Sequence, residues 1–209
     1  MEPFDPKTLS ELGERAKVAL RGRMRSLRDA YPKPVLAEAS RRILERILAR
    51  PELERASGVG LFWPLLARGE VDLRELLPAV LGQGKRVYYP FMDRGEGERI
   101  TTGFRQVGSE AELSDRGQRF WEPPPDAPLA GAREIDLLVV PALAVAANGH
   151  RLGYGSGFYD ATLGDHRPPA RAIVVAYEFQ LLAELPAAAH DVACDVVITE
   201  KRVIEVSAI

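Results

Sequence analysis

Short apolar segments alternate along this chain with segments of helical periodicity, and this alternation limits the folds that the chain can adopt. Five apolar segments have the length and side-chain composition of strands: GVGLFW (58–63), RVYYPF (86–91), IDLLVVP (135–141), RAIVVAYE (171–178) and DVVIT (195–199). Strands that alternate with helices are typical of βαβ units, so the sequence predicts an α/β fold with a largely parallel sheet.

Between and before these strands, several segments place apolar residues at helical spacing. The predicted helices cover residues 9–30, 35–50, 73–83 and 157–163, with a short helical segment near 180–184. Asp72 lies three residues before Glu75, a spacing that suggests a capping box at the start of the third helix. Residues 92–134 are predicted to leave the sheet, with an exposed turn at DRGEGER (93–99) and an antiparallel strand at ITTGFRQV (100–107).

Length and charge restrict the kind of protein further. A chain of 209 residues is long enough for one sizeable core, and residues 1–209 are predicted to form a single domain. The net charge of −2 offers no general attraction to nucleic acid or to an acidic membrane. Cys194 is the only cysteine, and no apolar run approaches the ~18 residues that a membrane span needs. We expect a soluble, cytoplasmic protein without nucleic-acid partners.

The segment NGHRLGYGSGFYD (148–160) carries the clearest chemical signal. Its alternating glycines, at positions 153, 155 and 157, follow a predicted strand and precede a predicted helix. Such a loop can point several N–H groups at a phosphate, and the helix N-terminus adds favourable partial charge. The segment lacks the GxxxxGK[ST] and GxGxxG patterns, and a tight strand-to-helix turn is the alternative interpretation. Arg151 and Asp160 favour phosphate binding, because an arginine and a magnesium-binding carboxylate suit a nucleoside triphosphate.

Other charged residues are ambiguous on sequence grounds. Lys17 and Arg21 share one face of the first helix, which Arg25 and Arg28 extend, but a solvated helix is the simpler interpretation. For Glu70 a surface carboxylate near a helix start is likewise the simpler interpretation, and Asp191 can be interpreted as a loop or cap residue. The three histidines, His150, His166 and His190, have no spacing typical of a zinc site, even together with Cys194.

The string LLVVPALAVAANGHRLGYGSGFYDATL closely resembles the signature of the 5-formyltetrahydrofolate cyclo-ligase family. Further segments match that family's pattern along most of the chain: KVALR (17–21), FWPLLARGEVDL (62–73), GKRVYYP (84–90), FWEPPP (120–125) and YEFQLLAELPAAAHDVACDVVITE (177–200). The resemblance implies a three-layer α/β/α sandwich around a mostly parallel mixed sheet. It also implies the ATP-dependent closure of 5-formyltetrahydrofolate to 5,10-methenyltetrahydrofolate, with release of ADP and phosphate.

The resemblance assigns roles to particular residues. The expected ATP-binding residues are Lys17, Arg21, Arg151, Leu152, Gly153, Tyr154, Gly155, Ser156, Gly157, Phe158 and Tyr159. The expected folate-binding residues are Trp63, Glu70, Tyr154, Gly155, Ser156, Gly157 and Phe158. Lys17 and Arg151 would be catalytic, and Asp160 and Asp191 would hold Mg²⁺.

The expected partners are therefore ATP and a folate, and a monomer is favoured over an oligomer. A non-catalytic or differently specific nucleotide-binding paralogue is the alternative. Some relatives have basic residues where this chain has Tyr154 and Ser156 in the glycine-rich loop.

Overall fold

A computed structural model describes residues 5–94, 100–117, 120–155, 157–186 and 191–207 of the chain. Most of the predicted turn at 93–99 lies outside these ranges. Within them, no helix is both long enough and apolar enough to cross a membrane.

The described residues contain five α-helices and twelve short strands. The helices are α1 (Pro6–Asp29), α2 (Lys33–Leu48), α3 (Pro51–Arg55), α4 (Leu76–Leu81) and α5 (Phe158–His166). The first six strands are β1 (Gly58–Gly60), β2 (Arg86–Arg94), β3 (Ile100–Val107), β4 (Ser114–Asp115), β5 (Trp121–Glu122) and β6 (Leu137–Pro141). The remaining strands are β7 (Ala144–Ala146), β8 (Arg151–Leu152), β9 (Arg171–Val175), β10 (Leu181–Leu182), β11 (Val196–Ile198) and β12 (Val203–Glu205).

Seven of these strands form the main sheet, in the order β12-β11-β9-β6-β1-β2-β3. The five central strands are parallel, and the antiparallel strands β12 and β3 form the two edges. Val59 of β1 pairs with Val87 on one side and with Leu137 on the other. The central strands carry continuous apolar runs because helices cover both faces, as expected for a buried parallel sheet. The predicted mostly parallel mixed sheet is therefore confirmed.

Helices pack on both faces of the main sheet and form three layers. On one face, apolar side chains of α2, α3 and α4 form a core with the sheet that includes Ile43, Leu76 and Val139. On the other face, α5 contributes Phe158 and Leu163 to a second core. The three-layer α/β/α arrangement agrees with the expectation.

A second, smaller sheet supports the long helix α1. Its strand order is β10-β7-β8, and its first strand in the chain, β7, directly follows β6. Met24 of α1 packs against Leu143, Ala144 and Leu152 of this region. The contact brings the basic face of α1 to the segment that carries the alternating glycines.

Some local predictions were wrong. The helix predicted over 73–83 begins only at Leu76, and no side chain caps it. Asp72 instead accepts a hydrogen bond from the backbone N–H of Arg74, at 3.2 Å, and also binds its guanidinium group. The helical segment predicted near 180–184 is a 3₁₀ turn at Glu178–Gln180, followed by strand β10. The strand predicted over 58–63 ends at Gly60.

Candidate active site

The charged residues of interest meet at the carboxyl ends of β1 and β6. These strands are neighbours, but from β1 the chain continues outward to β2, whereas from β6 it continues to β9 on the other side. In an open α/β sheet, a crevice forms at such a switch point and is the expected ligand site. The segment after β1 carries Trp63 and Glu70, and the segment after β6 leads through the small sheet to the glycine-rich loop.

The glycine-rich loop connects β8 to α5. Gly155 and Gly157 adopt positive φ angles, +103° and +69°, which residues with a β-carbon rarely adopt. Gly157 is the N-cap of α5, so the loop ends at a helix N-terminus where backbone N–H groups point outward. Ser156, between them, lies outside the described residues. The sequence-based prediction that these glycines allow an unusual backbone path is confirmed at Gly155 and Gly157.

Helix α1 supplies two basic side chains to this loop and its surroundings. Lys17 is buried, with 6% of its surface exposed, and its Nζ lies 2.8 Å from Oδ2 and 3.2 Å from Oδ1 of Asp191. Arg21 donates a hydrogen bond from Nε to the carbonyl oxygen of Gly153, at 3.1 Å. From the sequence, this face of α1 was expected to be solvated. In the structure it is turned toward the glycine-rich loop.

A second ion pair joins the glycine-rich segment to the chain near Asp191. Nη2 of Arg151 donates to Oδ1 of Asp160 at 2.7 Å, and its Nη1 donates to the carbonyl oxygen of Val192 at 2.6 Å. Val192 follows Asp191 directly, so Arg151 and Lys17 bind consecutive residues of the same segment. Lys17 and Asp160, which are 143 positions apart (160 minus 17), thus belong to one connected network of charges.

Glu70 is buried beside two tyrosines of the glycine-rich segment. It is 6% exposed, and its Oε2 accepts a hydrogen bond from the backbone N–H of Leu65 at 2.8 Å. Burial is the largest cause of the raised pKa of Tyr154 and of Tyr159, and the nearby Glu70 carboxylate is the second. The hydroxyl of Tyr177, whose pKa burial raises to about 12, donates to the Glu70 carbonyl oxygen at 3.0 Å. Glu70 is therefore an interior carboxylate rather than a surface one.

A cleft of about 480 Å³ opens beside the segment 63–68, which includes Leu65, the residue whose backbone N–H binds the Glu70 carboxylate. The rings of Trp63 and Trp121 stack on its wall, with centroids 5.7 Å apart and planes 16° apart. Arg68 lines the same cleft, and its guanidinium carbon lies 5.7 Å from the centre of the Tyr154 ring. Glu110 and Asp115 also line the cleft, and a flat aromatic wall with polar groups around it suits a planar, polar heterocycle.

A more open depression of about 590 Å³ lies elsewhere, beside Arg167 and Asp195. Those two side chains form an ion pair with each other at 2.7 Å, and Arg167 also donates to the carbonyl oxygen of Ala193. Because its charged groups satisfy one another, the larger depression is a weaker candidate for the site than the smaller cleft.

The described residues contain no group of three or more His, Cys, Asp or Glu side chains that could hold a metal ion. His150 and His166 belong to the described residues, and His190 lies outside them. The two carboxylates of the network, those of Asp160 and Asp191, form ion pairs with Arg151 and Lys17.

Most of the predicted site residues lie close together in the structure, but some of their side chains are buried in the core. Leu152 and Phe158 are buried, and Phe158 packs edge-on against Phe104. Their side chains therefore support the loop from below. The sequence analysis did not select Arg28 or Trp121, which the structure places against Tyr154 and Trp63 respectively. Trp121 lies in the FWEPPP segment that matched the family pattern, and that match was the available signal.

Comparison with known proteins gives one consistent result. The family model described as "5-formyltetrahydrofolate cyclo-ligase family" matches residues 14–200. A 5-formyltetrahydrofolate cyclo-ligase of Mycolicibacterium smegmatis is 49% identical over 80 residues, which are 38% of this chain and 41% of that relative. The Escherichia coli K12 protein of the same name is 28% identical over 187 residues, covering 87% of this chain and 99% of the relative.

A solved structure agrees with the sequence comparisons. The Aquifex aeolicus 5,10-methenyltetrahydrofolate synthetase has a TM-score of 0.77 and 30% identity to this chain, covering 92% of it and 93% of the Aquifex chain. The family match spans most of the chain, including α1 from residue 14 onward, the glycine-rich loop and Asp191. The chain belongs to the 5-formyltetrahydrofolate cyclo-ligase family.

Proposed function

We propose that the chain catalyses the ATP-dependent cyclisation of 5-formyltetrahydrofolate to 5,10-methenyltetrahydrofolate, releasing ADP and phosphate. The observation that carries this proposal is the network in which Lys17 binds Asp191 while Arg151 binds both Asp160 and Val192. It gathers the cations and carboxylates that a triphosphate requires next to a glycine-rich loop and an aromatic cleft. Family membership supports the choice of substrates.

The ATP phosphates would lie on the glycine-rich loop. Backbone N–H groups between Leu152 and Tyr159 would hold them, together with the side chains of Lys17, Arg21 and Arg151. Lys17 and Arg151 are the proposed catalytic residues because a transferred phosphoryl group passes through a highly charged transition state. In the structure both side chains pair with carboxylates, and a triphosphate would offer them new anionic partners.

The donor set fits Mg²⁺. Asp160 and Asp191 supply two carboxylates, and Mg²⁺ is commonly held by one or two carboxylates plus substrate phosphates and water. When bound, Mg²⁺ would neutralise charge on the phosphates. Arg151 and Lys17 hold the two carboxylates in place through ion pairs of 2.7 and 2.8 Å.

In this reaction the protein contributes mainly by positioning the two substrates. The formyl oxygen attacks the γ-phosphorus and ADP leaves, which gives a formyl oxygen that carries phosphate. The side-arm nitrogen of the folate then attacks the formyl carbon and loses its proton, and the C–O bond breaks with departure of phosphate. A formamide oxygen is a poor leaving group until it is phosphorylated, which explains the need for ATP. Holding the two substrates in line accounts for much of the expected rate.

The folate would occupy the cleft beside Glu70. Trp63 and its stacked partner Trp121 would pack on the pterin, and Glu70 would accept hydrogen bonds from its ring N–H groups. Tyr154 and the neighbouring loop residues, Ser156 among them, would contact both substrates. A monomeric state and a cytoplasmic location stay predictions from the sequence.

The direct test is an absorbance assay for methenyltetrahydrofolate. We expect the product's ultraviolet absorbance to appear only when 5-formyltetrahydrofolate, ATP and Mg²⁺ are all present. Product formation that does not need ATP would contradict the mechanism. Binding of an ATP analogue without any turnover would favour the alternative of a non-catalytic or differently specific paralogue.

A further inference from the structure

Arg28 is a buried cation whose position the proposed reaction does not yet explain. It lies on α1, three residues after Arg25 and seven after Arg21, and only 2% of its surface is exposed. Within the described ranges, no carboxylate lies within the 4.0 Å of its nitrogens that defines an ion pair. Its Nε is buried and has no hydrogen-bond partner there. Burying a charge without a paired opposite charge is costly, so a buried arginine of this kind suggests a function.

The guanidinium group of Arg28 is directed at the glycine-rich loop. Its Nη2 donates a hydrogen bond of 2.5 Å to the hydroxyl oxygen of Tyr154, and its carbon lies 5.6 Å from the centre of the Tyr154 ring. The stem of Arg28 packs against Gly69, where an added β-carbon would lie 3.3 Å from the Arg28 Cγ. Arg28 thus contacts both the loop and the residue that directly precedes Glu70.

Arg28 contacts two segments that lie close to the buried Glu70 carboxylate. Its guanidinium donates to the Tyr154 hydroxyl, and its stem packs against Gly69, the residue before Glu70. Burial and the charge of the Glu70 carboxylate both raise the pKa of Tyr154, so the phenol keeps its proton at neutral pH. Arg28 therefore connects the Tyr154 hydroxyl to the backbone beside Glu70, although no ion pair joins Arg28 to Glu70 among the described residues.

We propose that Arg28 is a positioning residue for this reaction, which acts through the Tyr154 hydroxyl and the Gly69 backbone to hold Tyr154 and Glu70 in the orientation that receives the folate. The proposal rests on the proposed function, in which Glu70 binds the folate. It adds a residue that contacts neither substrate and gives Tyr154 a role that a basic residue at the same place could not fill. A guanidinium or ammonium group there would repel Arg28 instead of accepting from it.

The test uses Tyr154→Phe, Arg28→Gln and Arg28→Lys in the full-length protein. Binding of 5-formyltetrahydrofolate is followed by the fluorescence of the two tryptophans, Trp63 and Trp121, which both line the cleft. We expect Tyr154→Phe and Arg28→Gln each to weaken folate binding by about 10-fold or more, since each removes a hydrogen bond that involves a charged group. Arg28→Lys keeps the charge and a donor, and we expect it to restore part of the loss. The KM for ATP should change far less than the KM for the folate.

A double-mutant cycle separates positioning from general destabilisation. If the three groups act as one unit, Tyr154→Phe should have little effect in a Glu70→Gln background, and the double variant Arg28→Gln/Tyr154→Phe should be no weaker than Tyr154→Phe. Additive losses would overturn the proposal, as would equal losses in folate and ATP binding. Tyr154→Phe is nearly isosteric, so it remains informative if Arg28→Gln fails to fold.

Arg25→Gln is the matched comparison. Arg25 is exposed on the same helix, and its guanidinium carbon lies 5.7 Å from the same Tyr154 ring, but it does not bind the hydroxyl group in the structure. We expect a much smaller loss of folate binding than for Arg28→Gln. Equal losses would show that only the total positive charge matters and would overturn the proposal. If the wild-type protein binds folate but makes no methenyl product, the proposed reaction fails while these binding measurements still decide the role of Arg28.

Discussion

Replacement of Asp160 by Asn tests the phosphate and metal assignments most directly. Oδ1 of Asp160 accepts from Nη2 of Arg151 at 2.7 Å, and the Arg151 side chain is only 4% exposed. Asn keeps an oxygen acceptor but loses the charge, so Arg151 would remain buried without a carboxylate. Breaking a fully buried pair in this way costs about 3–5 kcal/mol. Because the Asp160 side chain is 33% exposed, solvent screening reduces the expected loss to about 1–2 kcal/mol.

The expected loss of stability is small compared with the expected loss of activity. For a domain of this size, about 1–2 kcal/mol corresponds to a decrease in Tm of about 2–8 °C, so the variant should fold. Loss of a carboxylate that would hold Mg²⁺ beside the transferred phosphoryl group should lower kcat by about 100-fold or more. The assays are thermal unfolding by circular dichroism and the absorbance assay for methenyltetrahydrofolate.

Asp195→Asn is the matched control. Asp195 forms an ion pair of the same length, 2.7 Å, with Arg167, and the Asp195 side chain is 27% exposed, but this pair lies beside the open depression away from the glycine-rich loop. We expect a similar decrease in Tm and nearly normal turnover. If Asp160→Asn kept activity within about 3-fold of the wild type, the role assigned to Asp160 would be wrong. Equal loss of turnover in both variants would attribute the effect to stability alone.

Three further predictions follow from single contacts. Lys17→Gln removes the buried partner of Asp191 and should raise the KM for ATP by about 10-fold or more. Arg23→Gln changes an exposed residue of the same helix and should leave the KM for ATP unchanged. Steady-state kinetics measures both. Gly155→Ala places a β-carbon on a residue with φ +103°, so it should lower stability by about 1 kcal/mol or more and weaken ATP binding. At Gly153 an added β-carbon has free space, so Gly153→Ala should weaken ATP binding less in calorimetric titration. Burial lowers the pKa of His166 from its usual value of 6.5, so the unfolded state binds a proton more readily than the folded state. Tm should therefore fall as the pH drops below about 6.5. His166→Gln should reduce this acid sensitivity, which Tm measurements between about pH 7.5 and 5.5 would show.

The sequence predicted the main sheet well because its signal is strong and local. A strand such as Leu137–Pro141 is buried on both faces, so every residue in it must be apolar, and the pattern does not depend on details of packing. The glycine-rich loop was recognisable for a similar reason. Its glycines and the charges at Arg151 and Asp160 lie within a few residues of one another.

The remaining parts depend on contacts between distant segments. Strands β8 and β10 have two residues each, too few for any periodicity, and they form only because β7 lies between them. In the sequence, Glu70 and Lys17 looked like surface charges. Nothing near them in the sequence indicates that the Tyr177 hydroxyl binds the Glu70 carbonyl oxygen or that Asp191 pairs with Lys17. The capping box at Asp72 failed because a competing turn around Arg74 used the same side chain.

The two ion pairs of the site also imply that nucleotide and metal bind together. Lys17 now neutralises Asp191, and Arg151 neutralises Asp160, so each carboxylate already has a cation beside it. A metal ion that approaches alone must compete with these side chains, whereas a triphosphate offers both of them new anionic partners. We therefore expect Mg²⁺ alone to leave Tm nearly unchanged and an ATP analogue with Mg²⁺ to raise it more than the analogue alone, because coupled ligands increase each other's affinity by the same factor. In calorimetric titration, strong binding of Mg²⁺ to the protein without nucleotide would contradict this coupling, and Asp160→Asn should reduce the contribution of Mg²⁺ to nucleotide binding.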